Sequence, residues 1–175
     1  MSKTDLVIRT ASLHDAAAVA RIYAHHVLHG TASYEIDPPD TATMAARMDA
    51  VLAAGWPWLV AERDTDVVGW ASASQFRPRP AYAHACEDSI YVAPGAMKGG
   101  IGTALLTALI AAAEQCGFRQ MVAVIGGAEP ASIALHARCG FSEVGRLSGL
   151  GWKHGRWLDN VYMQRALGAG ASSPP

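Results

Sequence analysis

The sequence has no excess of positive charge, no long apolar run and few cysteines. Its 14 Lys and Arg residues are balanced by 15 Asp and Glu residues, which gives a formal net charge of −1. Nucleic-acid-binding proteins are normally basic, so this class is disfavoured. No stretch approaches the roughly 18 consecutive apolar residues of a membrane span, and the opening MSKTDLVIRT lacks the layout of a signal peptide. We therefore expect a soluble, cytoplasmic protein that binds neither nucleic acid nor membranes.

Metal and disulfide sites are also disfavoured. The three cysteines, Cys86, Cys116 and Cys139, form no CxxC pair, which favours reduced, mostly buried thiols over a disulfide framework or a zinc site. Six of the seven histidines show no metal-ligand spacing with acidic or cysteine partners. We therefore expect no metal ion.

The chain does contain enough apolar residues for one core. It has 175 residues, of which 51% are hydrophobic, and this is the size of one ordinary domain. We predict a single domain over residues 1–167, followed by a disordered tail, GAGASSPP, over residues 168–175.

Hydrophobic periodicity predicts strands alternating with helices. Strands are expected over residues 7–9, 58–61, 67–71, 89–92 and 121–125, with helices after Ser12, over 44–52, from about 101 to 116, and from Pro130. The apolar run 121–125 is typical of a strand buried on both faces and implies a strand–helix–strand unit. A final hairpin is expected from 141–147 and 156–164, separated by a turn region over 149–155. The fold class is therefore α/β with a mixed sheet.

A glycine-rich turn joins the strand at 89–92 to the next helix. It reads Lys98-Gly99-Gly100-Ile101-Gly102. Unpaired N–H groups at a helix start favour an anion, and glycines let a phosphate approach the backbone. The turn is not a Walker A loop, because no Lys-Ser/Thr pair follows its last glycine, and Leu105 occupies the third-glycine position of a Rossmann fingerprint. From this segment alone, a phosphate cradle and a plain chain turn both remain open.

In context, these elements resemble the GNAT superfamily of N-acetyltransferases. From about residue 8 to 164 the chain is similar to the phosphinothricin N-acetyltransferase family. The similar stretches are PWLVAE (57–62), AY (81–82), EDSIYV (87–92), GIGTALL (100–106), MVAVIG (121–126), SIALH (132–136) and KHGRWLD (153–159).

The resemblance implies a mainly antiparallel sheet, flanked by helices and splayed where acetyl-CoA enters. It also implies a homodimer and the coenzyme-binding residues Ile90, Tyr91, Val92, Lys98, Gly99, Gly100, Ile101, Gly102, Thr103, Glu129 and Ser132. The chain departs from the family pattern at two of the positions near the coenzyme. Met97 replaces a Gln or Arg, which leaves Lys98 as the only expected side-chain cation by the pyrophosphate, and Glu129 stands where relatives often carry Asn.

Two side chains are candidates for the chemistry of acetyl transfer. Amide formation needs a base for the ammonium proton, a polarised carbonyl and a proton for the departing thiolate. Glu87 precedes the strand that would meet the thioester, and the resemblance implies that it is the base; otherwise it is a solvated carboxylate. His136 is implied as an acid–base residue, with a helix-face histidine bonded to a backbone carbonyl as the alternative. Backbone N–H groups near Tyr91 or Val92 are expected to hold the oxyanion.

The acceptor is expected to be a small glutamate-like amino acid. Arg77 and Arg79 align with an anion-binding pair of the family, and arginine suits a carboxylate or phosphinate; otherwise they are solvated loop residues. Tyr34 and Tyr82 are the other implied substrate contacts. An acetyltransferase for a polyamine or a protein N-terminus, and a non-catalytic acyl-CoA sensor, remain alternatives.

Overall fold

The computed structural model describes residues 5–97 and 99–175. Strands and helices follow one another as the hydrophobic pattern predicts. The strands are β1 (Val7–Thr10), β2 (Trp58–Arg63), β3 (Asp66–Gln75), β4 (Ala85–Val92), β5 (Gln120–Gly126), β6 (Ser142–Lys153) and β7 (Arg156–Ala166), and the helices are α1 (Ala16–His29), α2 (Thr41–Ala53), α3 (Ile101–Gln115) and α4 (Pro130–Arg138).

The strands form one mixed sheet in the order β1-β2-β3-β4-β5-β7-β6. Every neighbouring pair is antiparallel except β4 and β5, which are parallel and are connected through α3. The predicted α/β fold with a mainly antiparallel sheet is therefore confirmed.

The parallel pair separates part of the way along its length. Backbone pairing between β4 and β5 ends at Glu87 and Val122, although β4 continues to Val92 and β5 to Gly126. The two strands diverge beyond this point. The separation produces a gap in the middle of the sheet.

Helices cover both faces of the sheet with separate apolar cores. On one face, α3 contributes Leu105, Leu106 and Leu109 to a cluster that also includes Ile133 and Leu135 of α4. On the other face, buried side chains of α1 and α2 pack against the aromatic rings of β2 and β3. The gap between β4 and β5 therefore lies between the α1/α2 core on one face of the sheet and the α3/α4 core on the other.

A buried carboxylate fixes the start of α1. Ser12 donates its backbone N–H to Asp15 Oδ2 at 2.8 Å, and Arg9 donates to both Asp15 oxygens at 2.8 and 2.9 Å. The hydrogen bond from Arg9 lowers the pKa of Asp15 to about 2, despite burial. This ion pair ties β1 to the first helix.

Two sequence predictions about strands are wrong. Strand β5 is not buried on both faces: Met121, Ala123 and Ile125 are buried, whereas Val122 and Val124 are partly exposed. This happens because the second face of β5 borders the gap.

The predicted turn over 149–155 is mostly strand, because β6 continues to Lys153 and pairs with β7 up to Arg156. The turn is only His154-Gly155, both with positive φ. The register shifts between Leu147 and Gly151, so the glycines there form an irregularity within the strand.

The remaining predictions concern the tail, the thiols and the membrane. Arg119 donates to the Gly170 carbonyl and to Ser173, and disorder of residues 168–175 stays a prediction. Cys86 and Cys139 are buried, and Cys116 is exposed. No helix within the described ranges is long and apolar enough to cross a bilayer.

Candidate active site

The gap between β4 and β5 opens into a cleft of about 420 Å³. Its walls come from α1, β4, β5, α4, β7 and the loop that follows α1. The lining residues include Ala32, Ser33, Tyr34, Glu35, Glu87, Asp88, Ser89, Ile90, Tyr91, Val124, Gly126, Ser132, His136 and Asn160. Polar side chains therefore reach the cleft from both faces of the sheet.

Backbone groups of β4 also point into the cleft. The bonds from Phe76 N to Ala85 O and from Ala93 N to Val68 O show that odd-numbered residues of β4 pair with β3. Because antiparallel pairing alternates, Ile90 and Val92 point toward β5, which has moved away. Their N–H groups therefore face the cleft. The N–H of Tyr91 points to β3 instead, and an oxyanion held near Val92 stays a prediction.

Glu87 lies on the α1/α2 side of the sheet. Its side chain is 35% exposed, and its Oε2 lies 3.8 Å from Nη1 of Arg77. Burial raises the pKa of Glu87, the charge of Arg77 opposes this effect, and Asp88 adds to it. A carboxylate with a raised pKa at the mouth of a cleft is a stronger proton acceptor than an ordinary surface glutamate.

His136 lies on the α3/α4 side and is 2% exposed. Its Nδ1 is 2.8 Å from the Ser132 carbonyl oxygen, and its Nε2 is 3.1 Å from Asp88 Oδ2. Burial lowers the pKa of His136, but the hydrogen bond and charge of Asp88 and the Ser132 carbonyl raise it above its usual value overall. Nδ1 therefore fits the alternative interpretation, in which a helix histidine bonds to a backbone carbonyl, whereas Nε2 contacts a carboxylate. The acid–base role of His136 stays a prediction.

The glycine turn has the geometry of an open helix start. Gly100 has φ +76° and is the N-cap of α3, and a Cβ there would meet nothing within 4 Å. A Cβ at Gly102 would lie 3.2 Å from Leu135 and 4.0 Å from Val92, so the first turn of α3 packs close to α4 and to the end of β4. The backbone of Ile101, Gly102 and Thr103 thus begins the helix beside the cleft. Lys98 lies outside the described residues.

A second cation, Arg63, lies beside this turn. Its Nη2 is 3.4 Å from the position that a Cβ of Gly99 would occupy. From the sequence, Lys98 is the only side-chain cation expected by the pyrophosphate, and Arg63 beside this turn is not anticipated. Arg63 comes from the end of β2, 36 positions before Gly99, and no local motif marks it.

The structure brings only some of the predicted acceptor-site residues together. Tyr34 lines the cleft, donates to the Asp159 carbonyl at 3.1 Å and accepts from Gly127 N at 3.3 Å. Arg77 lies near Glu87, with its guanidinium 4.0 Å from the centre of the Phe76 ring.

Three predicted contacts, Arg77, Arg79 and Tyr82, are exposed and are not among the residues that line the cleft, although Arg77 lies near Glu87. They belong to a proline-broken loop whose backbone bonds keep it at the surface, including Tyr82 N to Arg79 O. For Arg79, the solvated-loop alternative is the better description.

The two predicted coenzyme contacts at the start of α4 differ in position. Ser132 lines the cleft, and its Oγ lies 3.4 Å from His136 Nδ1. Glu129 is the N-cap residue of α4 and forms no side-chain capping bond. It is therefore placed at the helix start but not in the cleft wall.

Sequence reasoning missed a polar network that holds the loop after α1. Tyr23 Oη lies 2.7 Å from Ser33 Oγ and donates to Glu35 at 3.0 Å, while Arg47 donates to Glu35 at 2.7 Å. Lys153, 4% exposed, donates to the Ser33 carbonyl at 2.6 Å. No acidic residue next to Lys153 in the sequence indicates an ion pair, so the sequence does not predict that Lys153 is buried and contacts Ser33.

The described part of the chain contains no group of three or more His, Cys, Asp or Glu side chains that could hold a metal ion.

Comparisons with known proteins agree on one family. Residues 19–141 match the acetyltransferase (GNAT) family. A phosphinothricin N-acetyltransferase of Alcaligenes faecalis is 47% identical, over 100% of this chain and 89% of its own. An L-methionine sulfoximine/L-methionine sulfone acetyltransferase of Salmonella typhimurium is 38% identical, over 93% of this chain and 95% of its own. Among solved structures, a GNAT phosphinothricin acetyltransferase of Sinorhizobium meliloti, in complex with acetyl-CoA, superposes with a TM-score of 0.95. That protein is 47% identical, and the match covers 97% of this chain and 92% of the other.

The position of Tyr34 can be tested through Gly151 of β6. A Cβ at Gly151 would lie 2.7 Å from Cδ2 and 2.8 Å from Cζ of Tyr34, so Gly151→Ala must displace the ring. We expect a loss of about 1–3 kcal/mol in the free energy of unfolding, measured in urea. Gly145→Ala, in the same strand with nothing within 4 Å of its Cβ, should change it by less than about 0.5 kcal/mol. Equal effects of the two variants would contradict the described contact.

Proposed function

The chain belongs to the phosphinothricin N-acetyltransferase family of the GNAT acetyltransferases, and on this premise we propose its acceptor and its mechanism. It is an acetyl-CoA-dependent N-acetyltransferase. The acceptor is the α-amino group of a small glutamate-like amino acid such as phosphinothricin, methionine sulfone or methionine sulfoximine. One observation carries the mechanism: the cleft between β4 and β5 is lined both by Glu87 on one face of the sheet and by His136 on the other.

Acetyl-CoA enters from the α3/α4 side. Its phosphates accept hydrogen bonds from the N–H groups that begin α3, and Arg63 adds a positive charge beside Gly99. Acetyl-CoA supplies the thioester carbon that the amine attacks. The N–H groups of Ile90 and Val92 face the cleft and stabilise the oxygen that becomes negative during the attack.

The coenzyme site is tested by one residue at each end of α3. Gly100 and Gly117 both have positive φ and open space around a Cβ, so each alanine variant should lose about 1 kcal/mol of stability. Only Gly100→Ala should also weaken acetyl-CoA binding, by about tenfold in the dissociation constant measured by calorimetry, because it interferes with one charge-assisted contact. Unchanged affinity in Gly100→Ala, or equal losses in both variants, would remove the phosphates from this turn.

Glu87 is the general base. It takes a proton from the acceptor ammonium on the α1/α2 side, so that the neutral amine can attack the thioester through a tetrahedral intermediate. Because the pKa of Glu87 is raised, the base form develops only as the pH rises through that higher value. The rate should therefore climb with pH through this ionisation.

Glu87→Gln keeps the shape of the side chain but cannot accept the proton. We expect kcat to fall by roughly 10²–10⁴-fold, with acetyl-CoA affinity unchanged and the rising limb of the pH profile lost. Glu143→Gln, in the exposed strand β6, serves as the control and should match the parent enzyme. A Glu87→Gln variant within about threefold of the parent kcat would exclude Glu87 as the base.

Arg77 selects the acceptor. It is the arginine beside Glu87, so it can bind a carboxylate or phosphinate while the amine is directed to the base. We expect kcat/KM for phosphinothricin or methionine sulfone to exceed that for spermidine or a lysine-containing peptide by at least about tenfold. Arg77→Ala should remove most of this preference, mainly through KM, whereas Arg79→Ala, exposed in the same loop, should keep it.

Turnover of the same panel of amines distinguishes the proposed function from its two alternatives. Equal or better turnover of cationic amines or peptides would assign a different acceptor class, with the acetyltransferase activity retained. Binding of acetyl-CoA without turnover of any amine would instead indicate a non-catalytic acyl-CoA sensor.

We also propose a homodimer that acts in the cytoplasm. Trp152 and Trp157 form a cross-strand pair on the β6–β7 hairpin, 58% and 65% exposed, with ring centroids 5.2 Å apart. Exposed tryptophans on an edge hairpin are typical of an interface. Free cysteines suit a reducing compartment. Sedimentation equilibrium of the full chain measures the assembly directly.

A further inference from the structure

Asp88 is a buried carboxylate on the opposite face of the sheet from Glu87, although the two residues are neighbours in sequence. Its side chain is 2% exposed, and its Oδ2 lies 3.1 Å from His136 Nε2. Its Oδ1 is buried and has no hydrogen-bond partner among the described residues. Nothing in the sequence singles out Asp88, because its place in the EDSIYV stretch is next to the more obvious candidate.

The hydrogen bonds of His136 determine how many protons the pair holds. The Ser132 carbonyl oxygen can only accept, so the proton on Nδ1 is fixed. Contact between Nε2 and Asp88 Oδ2 then requires one more proton between them. This proton belongs to an imidazolium facing a carboxylate, or to a neutral imidazole facing a carboxylic acid. In both descriptions the pair stores one transferable proton.

The surroundings keep this proton within the pair. The charge of Asp88 acts on both Cys86 and Tyr91. Burial raises the pKa of Cys86 to about 12 and raises the pKa of Tyr91 well above its usual value. Both therefore remain neutral. From β5 and β7, the nearby cleft residues are the uncharged Ala123–Gly126 and Asn160, and Phe141 meets the His136 ring edge-on at 5.1 Å.

Charged groups on the other side of the cleft have other partners. Glu87 lies near Arg77, and Glu35 binds Arg47 and Tyr23. Among the described residues no Lys or Arg forms an ion pair with Asp88. Since a buried carboxylate is strongly disfavoured without a partner, His136 is the group that balances its charge.

We propose that Asp88 is a positioning residue that holds His136 in its protonated form, so that the pair donates the proton taken up by the thiolate of CoA. This inference rests on the proposed function. The amine nitrogen first bonds to the acetyl carbon to give the tetrahedral intermediate, and when this intermediate collapses the C–S bond breaks and its electron pair goes to sulfur. Sulfur takes the proton from Nε2, and His136 is left neutral with Nδ1–H still bonded to Ser132. Glu87 releases the first ammonium proton to solvent, the nitrogen loses its second proton to water as the amide forms, and one solvent proton recharges the pair, so that each turnover releases one proton.

Asp88→Asn removes the charge and keeps the shape. Without the carboxylate, burial alone acts on His136, so its pKa should fall below the usual value of about 6.5. In protein labelled with ¹⁵N-histidine, the His136 ring should titrate above pH 6.5 in the parent and at least about one unit lower in the variant. The alkaline limb of the kcat profile should move to lower pH by the same amount. At pH 7, kcat should fall by about tenfold or more, with acetyl-CoA affinity kept.

Asp15→Asn is the matched control, because it removes another buried, ion-paired aspartate away from the cleft. It should lower stability but leave the His136 titration and the pH profile unchanged. His136→Gln removes the proton donor itself, so the alkaline limb of the kcat profile should disappear.

Two results would overturn the proposal. One is a His136 ring that titrates at the same pH in the parent and in Asp88→Asn. The other is a parent His136 that titrates below pH 6.5, which is measured without any variant. If the parent turns over no amine, the proposed function fails, and the His136 titration still decides whether the pair holds its proton.

Discussion

The separation of β4 from β5 is the constraint on which the rest of the site depends. Backbone N–H and C=O groups buried in a sheet must be paired, and unpaired ones carry a free-energy penalty. Beyond Glu87, β4 has lost its partner strand, so its inward-facing groups need other partners. Part of this need is met within the chain, because His26 Nε2 lies 2.8 Å from the Val92 carbonyl oxygen. The remaining N–H groups stay available to a substrate, and the cleft exists because two strands do not pair.

The alternation of side chains along β4 gives this gap two chemically different sides. Successive residues point to opposite faces of a strand, so Glu87 and Asp88 belong to different environments although one peptide bond joins them. Glu87 is partly solvated and near an arginine, whereas Asp88 is enclosed and bound to an imidazole. A reaction that removes a proton on one side and supplies one on the other requires such a division. The sheet provides it without help from a second domain.

Local patterns predicted the elements well, because hydrophobic periodicity and glycine positions act over a few residues. The helix that follows Ser12 and the glycine turn before α3 follow from such patterns. Glu87 and Tyr34, which line the cleft, are expected there from the family resemblance and not from periodicity. Arg63 and Lys153 could not be found in this way, because each contacts a segment far away in sequence. Arg79 shows the reverse case. The family resemblance aligns it with an anion-binding position, but only the fold shows that its side chain is exposed. The glycines at 149 and 151 suggested a turn, since a break in a paired strand and a chain reversal use the same residues.

Cys86 shows how an enzyme that handles a thioester avoids modifying itself. Its thiol is fully buried, lies two residues from Asp88 on the same side of the strand, and bonds to the Gln120 carbonyl at 3.5 Å. Only a thiolate is an effective nucleophile, and a pKa of about 12 leaves almost none at neutral pH. Burial keeps this sulfur protonated, and the charge of Asp88 adds to the effect. Cys86 is therefore a poor nucleophile, although it lies in the same strand as Glu87 and Asp88.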